Sequence, residues 1–297
     1  MPRLIETNPI PAITLEELVS RLDEGNFDPR DEDCFASFGQ GLRQLAENEH
    51  FLADLVIAEL ERNCASQSSG NQYGPQVFML HRGERYAIRA NFWPALDDAV
   101  VENNGPAAFF YEVPHDHNFS FLTVGYSGPG YISDYYEYDY DSVLGVPGEQ
   151  VALRFVERSQ LHPGKTMLYR AHRDAHSQLP PESLSVSINI LEQSASLPYR
   201  DQYQFDLERR SIDSILTNTP VEALLDLCAG LASAEGHDLL ENFAHAHPCD
   251  RIRHRALVAF ASMQSSPAER DAVFERGARG DNPYVARMSA DALASVR

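Results

Sequence analysis

The spacing of apolar positions changes character twice along this chain. Over residues 14–64 Phe38, Leu42, Leu45, Phe51, Leu55, Ile57 and Leu60 lie near helical spacing. Thr14 and Glu17 have the spacing of a capping box, which predicts a helix start there. An apolar face of this kind binds a partner or packs on the chain's own sheet, and the second reading is preferred. Ser66-Gln67-Ser68-Ser69-Gly70-Asn71 reads as a loop by composition.

After that loop the period falls to two. Residues 76–81 and 86–93, joined by Arg82-Gly83-Glu84, read as a hairpin, with Ala87, Arg89, Asn91 and Trp93 on one face. An apolar strand is expected at 107–111, then a strand through His115-Asp116-His117-Asn118-Phe119-Ser120-Phe121. Its expected partner is 131–141. A two-residue loop at Gly128-Pro129 or Pro129-Gly130 puts Tyr136, Tyr138 and Tyr140 on the face of His115 and His117; a three-residue loop reverses this. Strands follow at 151–156, 165–169 and 183–191. The last alternates strictly, Ser183, Ser185, Ser187 and Asn189 against Leu184, Val186, Ile188 and Ile190. Many short strands joined by turns argue an antiparallel barrel or double-sheet jelly roll.

From about residue 206 the pattern is helical again. Thr219…Glu222 and Ser266…Glu269 are capping boxes with proline at the first helical position. Pro248 and Pro283 open further helices, and Ala256-Leu257 recurs as Ala292-Leu293. This region is similar to HEAT repeats. The expected class is α+β: N-terminal helices over 1–66, a barrel over 67–206 and HEAT-like helices over 207–297.

Composition narrows the function. The 297 residues are 43% hydrophobic and 23% charged, ordinary for a globular protein. A net charge of −20 argues against a phosphate-binding surface, so no nucleic-acid partner is expected. Cys34, Cys64, Cys228 and Cys249 are scattered without a CxxC, as free thiols in a reducing compartment would be. No apolar run approaches the roughly 20 residues of a membrane span, and residues 1–9 lack a signal-peptide core. A cytoplasmic protein without a membrane partner is expected.

The candidate chemistry centres on His115 and His117. In a strand they point the same way, and two imidazoles on a rigid element can hold a metal ion. The third ligand is His172 or His176. Arg89 is a two-pronged donor suited to a substrate carboxylate, or else a solvated or ion-paired arginine.

With the strands laid out, residues 76–191 resemble the cupin superfamily through His115-Asp116-His117, Gly125, Pro163-Gly164 and His176. The carboxylate usual in cupins is missing, since Ser120, Phe121 and Leu122 stand there. Among three-histidine cupins the thiol dioxygenases look closest, with an arginine two strands earlier, where Arg89 stands. The chain departs from them at Leu122, in place of a cysteine, and on the late strand, which lacks their tyrosine. The resemblance implies an iron(II) site, or another divalent metal, on His115, His117 and His176. His176 is favoured over His172 because it lies nearer the strand at 183. Cysteine as substrate does not carry over. Tyr138 or Tyr140 is the expected catalytic hydroxyl, replacing the missing tyrosine, with Arg89 and Asn189 binding substrate.

The expected function is oxidation of a small molecule or peptide by dioxygen, with the C-terminal helices helping bind substrate or a protein partner. A non-catalytic metal-binding scaffold is the alternative, and zinc or manganese isomerase or hydrolase chemistry is a third use of the same ligands.

Overall fold

The computed structural model describes residues 2–8, 11–70, 74, 76–231 and 234–295. Its contacts divide the chain into two compact units: Met1–Tyr140, Val151–Leu197 and Gln204–Arg210 in the first, Asp141–Gln150, Pro198–Tyr203 and Ser211–Arg297 in the second. Two segments expected within the barrel, Asp141–Gln150 and Pro198–Tyr203, thus group with the helical tail.

The first unit begins with β1 (Arg3–Ile5) and the helices α1 (Leu15–Glu24), α2 (Glu32–Ser37), α3 (Gly39–Ala46), α4 (Phe51–Glu61) and α5 (Ala65–Gly70). The capping box at Thr14 is present: the Glu17 N–H donates to the Thr14 hydroxyl, and the Thr14 N–H to the Glu17 carboxylate at 2.8 Å. The apolar positions of 35–60 are shared among three short helices. Before the last of them the Asn48 side-chain oxygen accepts from the Phe51 N–H at 3.2 Å. The loop expected at 66–71 is helical through Gly70, and Asn71 lies outside the described residues.

The sheet elements are β2 (Val77–Arg82), β3 (Tyr86–Trp93), β4 (Phe121–Ser127), β5 (Ile132–Glu137), β6 (Arg154–Gln160), β7 (Thr166–Tyr169), β8 (Asp174–Leu179) and β9 (Ser185–Glu192), with α6 (Ala99–Asn104) between β3 and β4. The strand expected at 107–111 is a 3-10 turn, Pro106–Phe109. Proline at its first position suits a helical start, and Phe110 closes it in the left-handed region, φ 59°.

Among the described residues β1-β7-β4-β9-β3-β2 form one antiparallel sheet and β6-β5-β8 another. The hairpin expected between the His-bearing stretch and 131–141 does not form: β4 pairs with β7 and β9, β5 with β6 and β8. The glycine-rich turn between them carries the chain from one sheet to the other, with Gly128 and Gly130 at φ 78° and 85°.

The register gives the large sheet two faces. Ile88, Ile190, Leu122 and Leu168 stand in one cross-strand row. They pack under Leu18, Leu42 and Leu45 of the N-terminal helices, where each fully buried apolar side chain contributes about 1.5–3 kcal/mol. The alternating row, Arg89, Asn189, Thr123 and Met167, faces the other way. That inner face carries a second cluster, in which Phe121, Met167 and Tyr169 meet Tyr135 of the small sheet and Tyr131 just before it.

Gly125 lies where the turn at 161–164 crosses β4. A Cβ there would stand 2.2 Å from the His162 carbonyl oxygen, which is backbone and cannot swing away. Gly125→Ala should therefore cost about 3 kcal/mol in urea denaturation. A cost below about 1 kcal/mol would show that the turn yields.

The second unit holds β11 (Ser211–Ile215), which follows β10 (Tyr203–Asp206), and then α7 (Pro220–Gly230), α8 (Ala234–Ala246), α9 (Asp250–Ser262), α10 (Pro267–Ala278) and α11 (Pro283–Ser295). The helical pattern read from about 206 onward hid β11. α9 is the hub: it contacts α7, α8, α10 and α11 and buries Ile252, Ala256 and Leu257. Among the described residues no helix is long and apolar enough to cross a membrane.

Candidate metal centre

His115, His117 and His176 come together at one end of the inner face. One ligand nitrogen from each lies within 4.8 Å of the others. His115 and His117 are not in a regular strand; they precede β4 in an extended segment. Main-chain bonds hold that segment: the His115 N–H donates to the His176 carbonyl at 2.9 Å, and the His176 N–H to the His115 carbonyl at 2.8 Å. The two-residue alternation survives through this bridge. Both imidazoles turn inward, while the buried Asp116 side chain accepts the Tyr138 hydroxyl at 2.6 Å.

The donor set suits a divalent cation. His115 Nδ1 donates to the Val113 carbonyl at 2.7 Å, which leaves Nε2 with a free lone pair. Burial holds all three imidazoles below their ordinary pKa, His115 at about 4. His115, His176 and the Arg89 charge add to the effect on His117. All three are therefore neutral at pH 7, the form that ligates metal. His117 Nε2 and His176 Nε2 are 3.0 Å apart. Two nitrogens at right angles on one ion, each about 2.1 Å from it, would be about that far from each other.

His172 stands elsewhere. Its N–H donates to the His117 carbonyl at 2.8 Å, and its ring stacks on Tyr140 with centroids 3.8 Å apart. Tyr140 is thus engaged with His172, and Tyr138 with Asp116 and the Phe205 ring. The tyrosines against the cluster are others. Tyr135 lies parallel to His176 at 6.3 Å, and Tyr169 is 5.0 Å from His176. Their hydroxyls share a hydrogen bond of 2.9 Å. Burial pushes Tyr135 up to about 12 and holds Tyr169 well above its ordinary value, so both keep their protons at neutral pH. Phe119 and Phe121 cover His117 at 5.0 and 4.9 Å.

The parity of β5 explains the change. Tyr135 opposes His176 in register, so odd-numbered residues of β5 face the site, as the three-residue loop would have required. Tyr169, the last residue of its strand, had only its inward parity as a signal. Arg89 and Asn189 oppose each other on the inner face.

No family model matches this chain, and no curated protein matches it. Solved structures of cupin-fold proteins, DMSP lyases and hydroquinone dioxygenases are similar to part of it. A structure of the DMSP lyases RdDddP and RnDddQII is 14% identical over 40% of this chain and 47% of that one, with a TM-score of 0.25, so this chain spans about half its length. A cupin domain from Bordetella pertussis Tohama I is 12% identical over 42% and 98%, TM-score 0.25. Hydroquinone 1,2-dioxygenase from Sphingomonas sp. TTNP3, with 4-hydroxybenzoate bound, is 9% identical over 43% and 72%, TM-score 0.27. Likeness at this level carries no argument about chemistry, and the three-histidine site rests on its own geometry.

Proposed function

We propose that this chain is a mononuclear non-heme iron(II) oxygenase of the cupin type, oxidising a small-molecule or peptide substrate with dioxygen. The observation that carries the reading is the convergence of three neutral imidazoles on a buried inner face lined by tyrosines and an arginine. Iron(II) held by His115, His117 and His176 would supply open positions for dioxygen and substrate.

The chain's own residues do the rest. Arg89 orients an anionic substrate, and Asn189 beside it offers an amide. The hydroxyl role expected of Tyr138 and Tyr140 passes to Tyr135 and Tyr169, whose rings touch a ligand and whose Oη atoms retain protons to donate. Phe119 and Phe121 exclude water from His117. The helices of the second unit, read as HEAT-like, help bind substrate or a partner protein. A scaffold would be served by a closed four-ligand ion; three histidines beside a polar interior favour catalysis.

The test mixes anaerobically iron-loaded protein with cell extract, small thiols and candidate peptides, and records oxygen uptake and product mass on admitting air. Substrate-dependent uptake is expected, with a paramagnetic nitric oxide adduct whose signal shifts when substrate is added. If nitric oxide gives no such signal, the oxygenase reading falls and the scaffold reading replaces it.

A further inference from the structure

The middle of the barrel interior is polar in a way the metal ligands do not account for. Arg89, Asn189, Thr123 and Met167 form one row across the inner face, and Asn91, Ser187 and Gly125 form the next. On the facing sheet Gln178 is two residues from His176 on the same strand, so it shares that histidine's face. Asn91, Thr123, Gln178 and Asn189 are only 5%, 0%, 5% and 3% exposed. Each nevertheless keeps one buried polar atom without a hydrogen-bond partner: Asn91 Oδ1, Thr123 Oγ1, Gln178 Oε1 and Asn189 Nδ2. Native interiors rarely leave such atoms unsatisfied, because each has given up its water. Four of them on facing sheets define a site for a polar occupant.

Their chemistry restricts that occupant. The two amide oxygens can only accept, the Asn189 amide nitrogen can only donate, and the Thr123 hydroxyl can do either. The occupant must therefore donate hydrogen bonds as well as accept them, which a plain carboxylate cannot do. Hydroxyl and ammonium groups both donate. Arg89 stands in the same row, and its charge reaches both His117 and Tyr131. No carboxylate stands in these rows among the described residues. An ammonium in these rows would be repelled by the Arg89 charge, whereas a hydroxyl would not. The guanidinium of Arg89 fits a carboxylate.

The geometry points to a small hydroxylated carboxylic acid as the occupant of this interior, its carboxylate on Arg89 and its hydroxyls donating to Asn91 and Gln178. Its assignment as substrate rests on the enzymatic reading of the histidine site; its assignment as ligand does not.

Two matched series test it by calorimetry on the full chain, kept anaerobic after incubation with iron(II). Lactate is compared with propionate and alanine, and malate with succinate and aspartate. In at least one series the hydroxy acid should bind at least about tenfold tighter than both its deoxy and its amino analogue. Gln178→Leu should erase that ratio; the Gln178 side chain also hydrogen-bonds Tyr131, so a small fall in the melting temperature of the ligand-free protein goes with it. The inference is overturned if no hydroxy acid is preferred in either series. It is also overturned if Gln178→Leu leaves the ratio intact. Elemental analysis of the same samples separates the two readings. Metal without the preference sinks the ligand assignment alone; the preference without metal sinks the enzyme and leaves the ligand.

Discussion

Replacing His176 with alanine should empty the metal centre. Wild-type protein incubated anaerobically with iron(II) and desalted should retain about one ion per chain by elemental analysis. His115→Ala, His117→Ala and His176→Ala should each retain almost none. Each removes one of only three protein ligands, and changing even an outer partner of a ligand typically costs 10–100-fold in affinity. His172→Ala should keep most of the metal, because that ring stacks on Tyr140 and lies outside the ligand cluster. The main-chain bridge between His115 and His176 does not use either imidazole, so the alanine variants should still fold. Far-ultraviolet circular dichroism checks this. If His172→Ala empties the site while His176→Ala does not, the ligand set is wrong.

Arg251→Ala should destabilise the second unit by about 3–5 kcal/mol, the usual cost of breaking a buried ion pair from one side. The guanidinium is almost fully buried. Its Nε donates to Asp201 at 2.7 Å, Nη2 donates to the Pro198 carbonyl at 3.0 Å, and Nη1 pairs with Glu222. Burial already raises the Asp201 carboxyl pKa, and Arg251 opposes that rise. Without the arginine, the Asp201 and Glu222 carboxylates lose their shared counter-charge. Urea denaturation followed by circular dichroism measures the loss. Asp201→Asn added to Arg251→Met should recover part of it, because a neutral pair carries a smaller desolvation penalty. A loss under about 1 kcal/mol for Arg251→Ala would mean that solvent reaches the cluster.

Local signals carried a good part of this protein. The Thr14–Glu17 and Ser266–Glu269 capping boxes were readable because each is closed by residues three apart. The 183–191 alternation was readable because β9 has one face on helices and one on a polar interior, so its two sets of side chains differ in kind. The histidine spacing was readable for a related reason: extended backbone turns alternate side chains together whether or not a regular ladder is present. Parity was the weak point. Tyr135 and Tyr136 are neighbours of the same type, and composition cannot say which one faces inward. The strand expected at 107–111 misled because an apolar run reads alike in a strand and in a buried turn.

Sequence alone therefore determined the two helical regions, the strand-rich middle and the HxH pair, all of which depend on contacts within a few residues. Only the tertiary structure decided which sheet each strand joins. β4 and β5 are consecutive, yet glycines at positive φ send them to opposite sheets. That one choice of partners sets Tyr135 against His176, separates His172 from the ligands and gathers Arg89, Asn189, Thr123 and Gln178 around one interior. The physical reason is that strand pairing is a long-range hydrogen-bond choice, made by the whole core, and a one-residue change of register exchanges the inner face for the outer one.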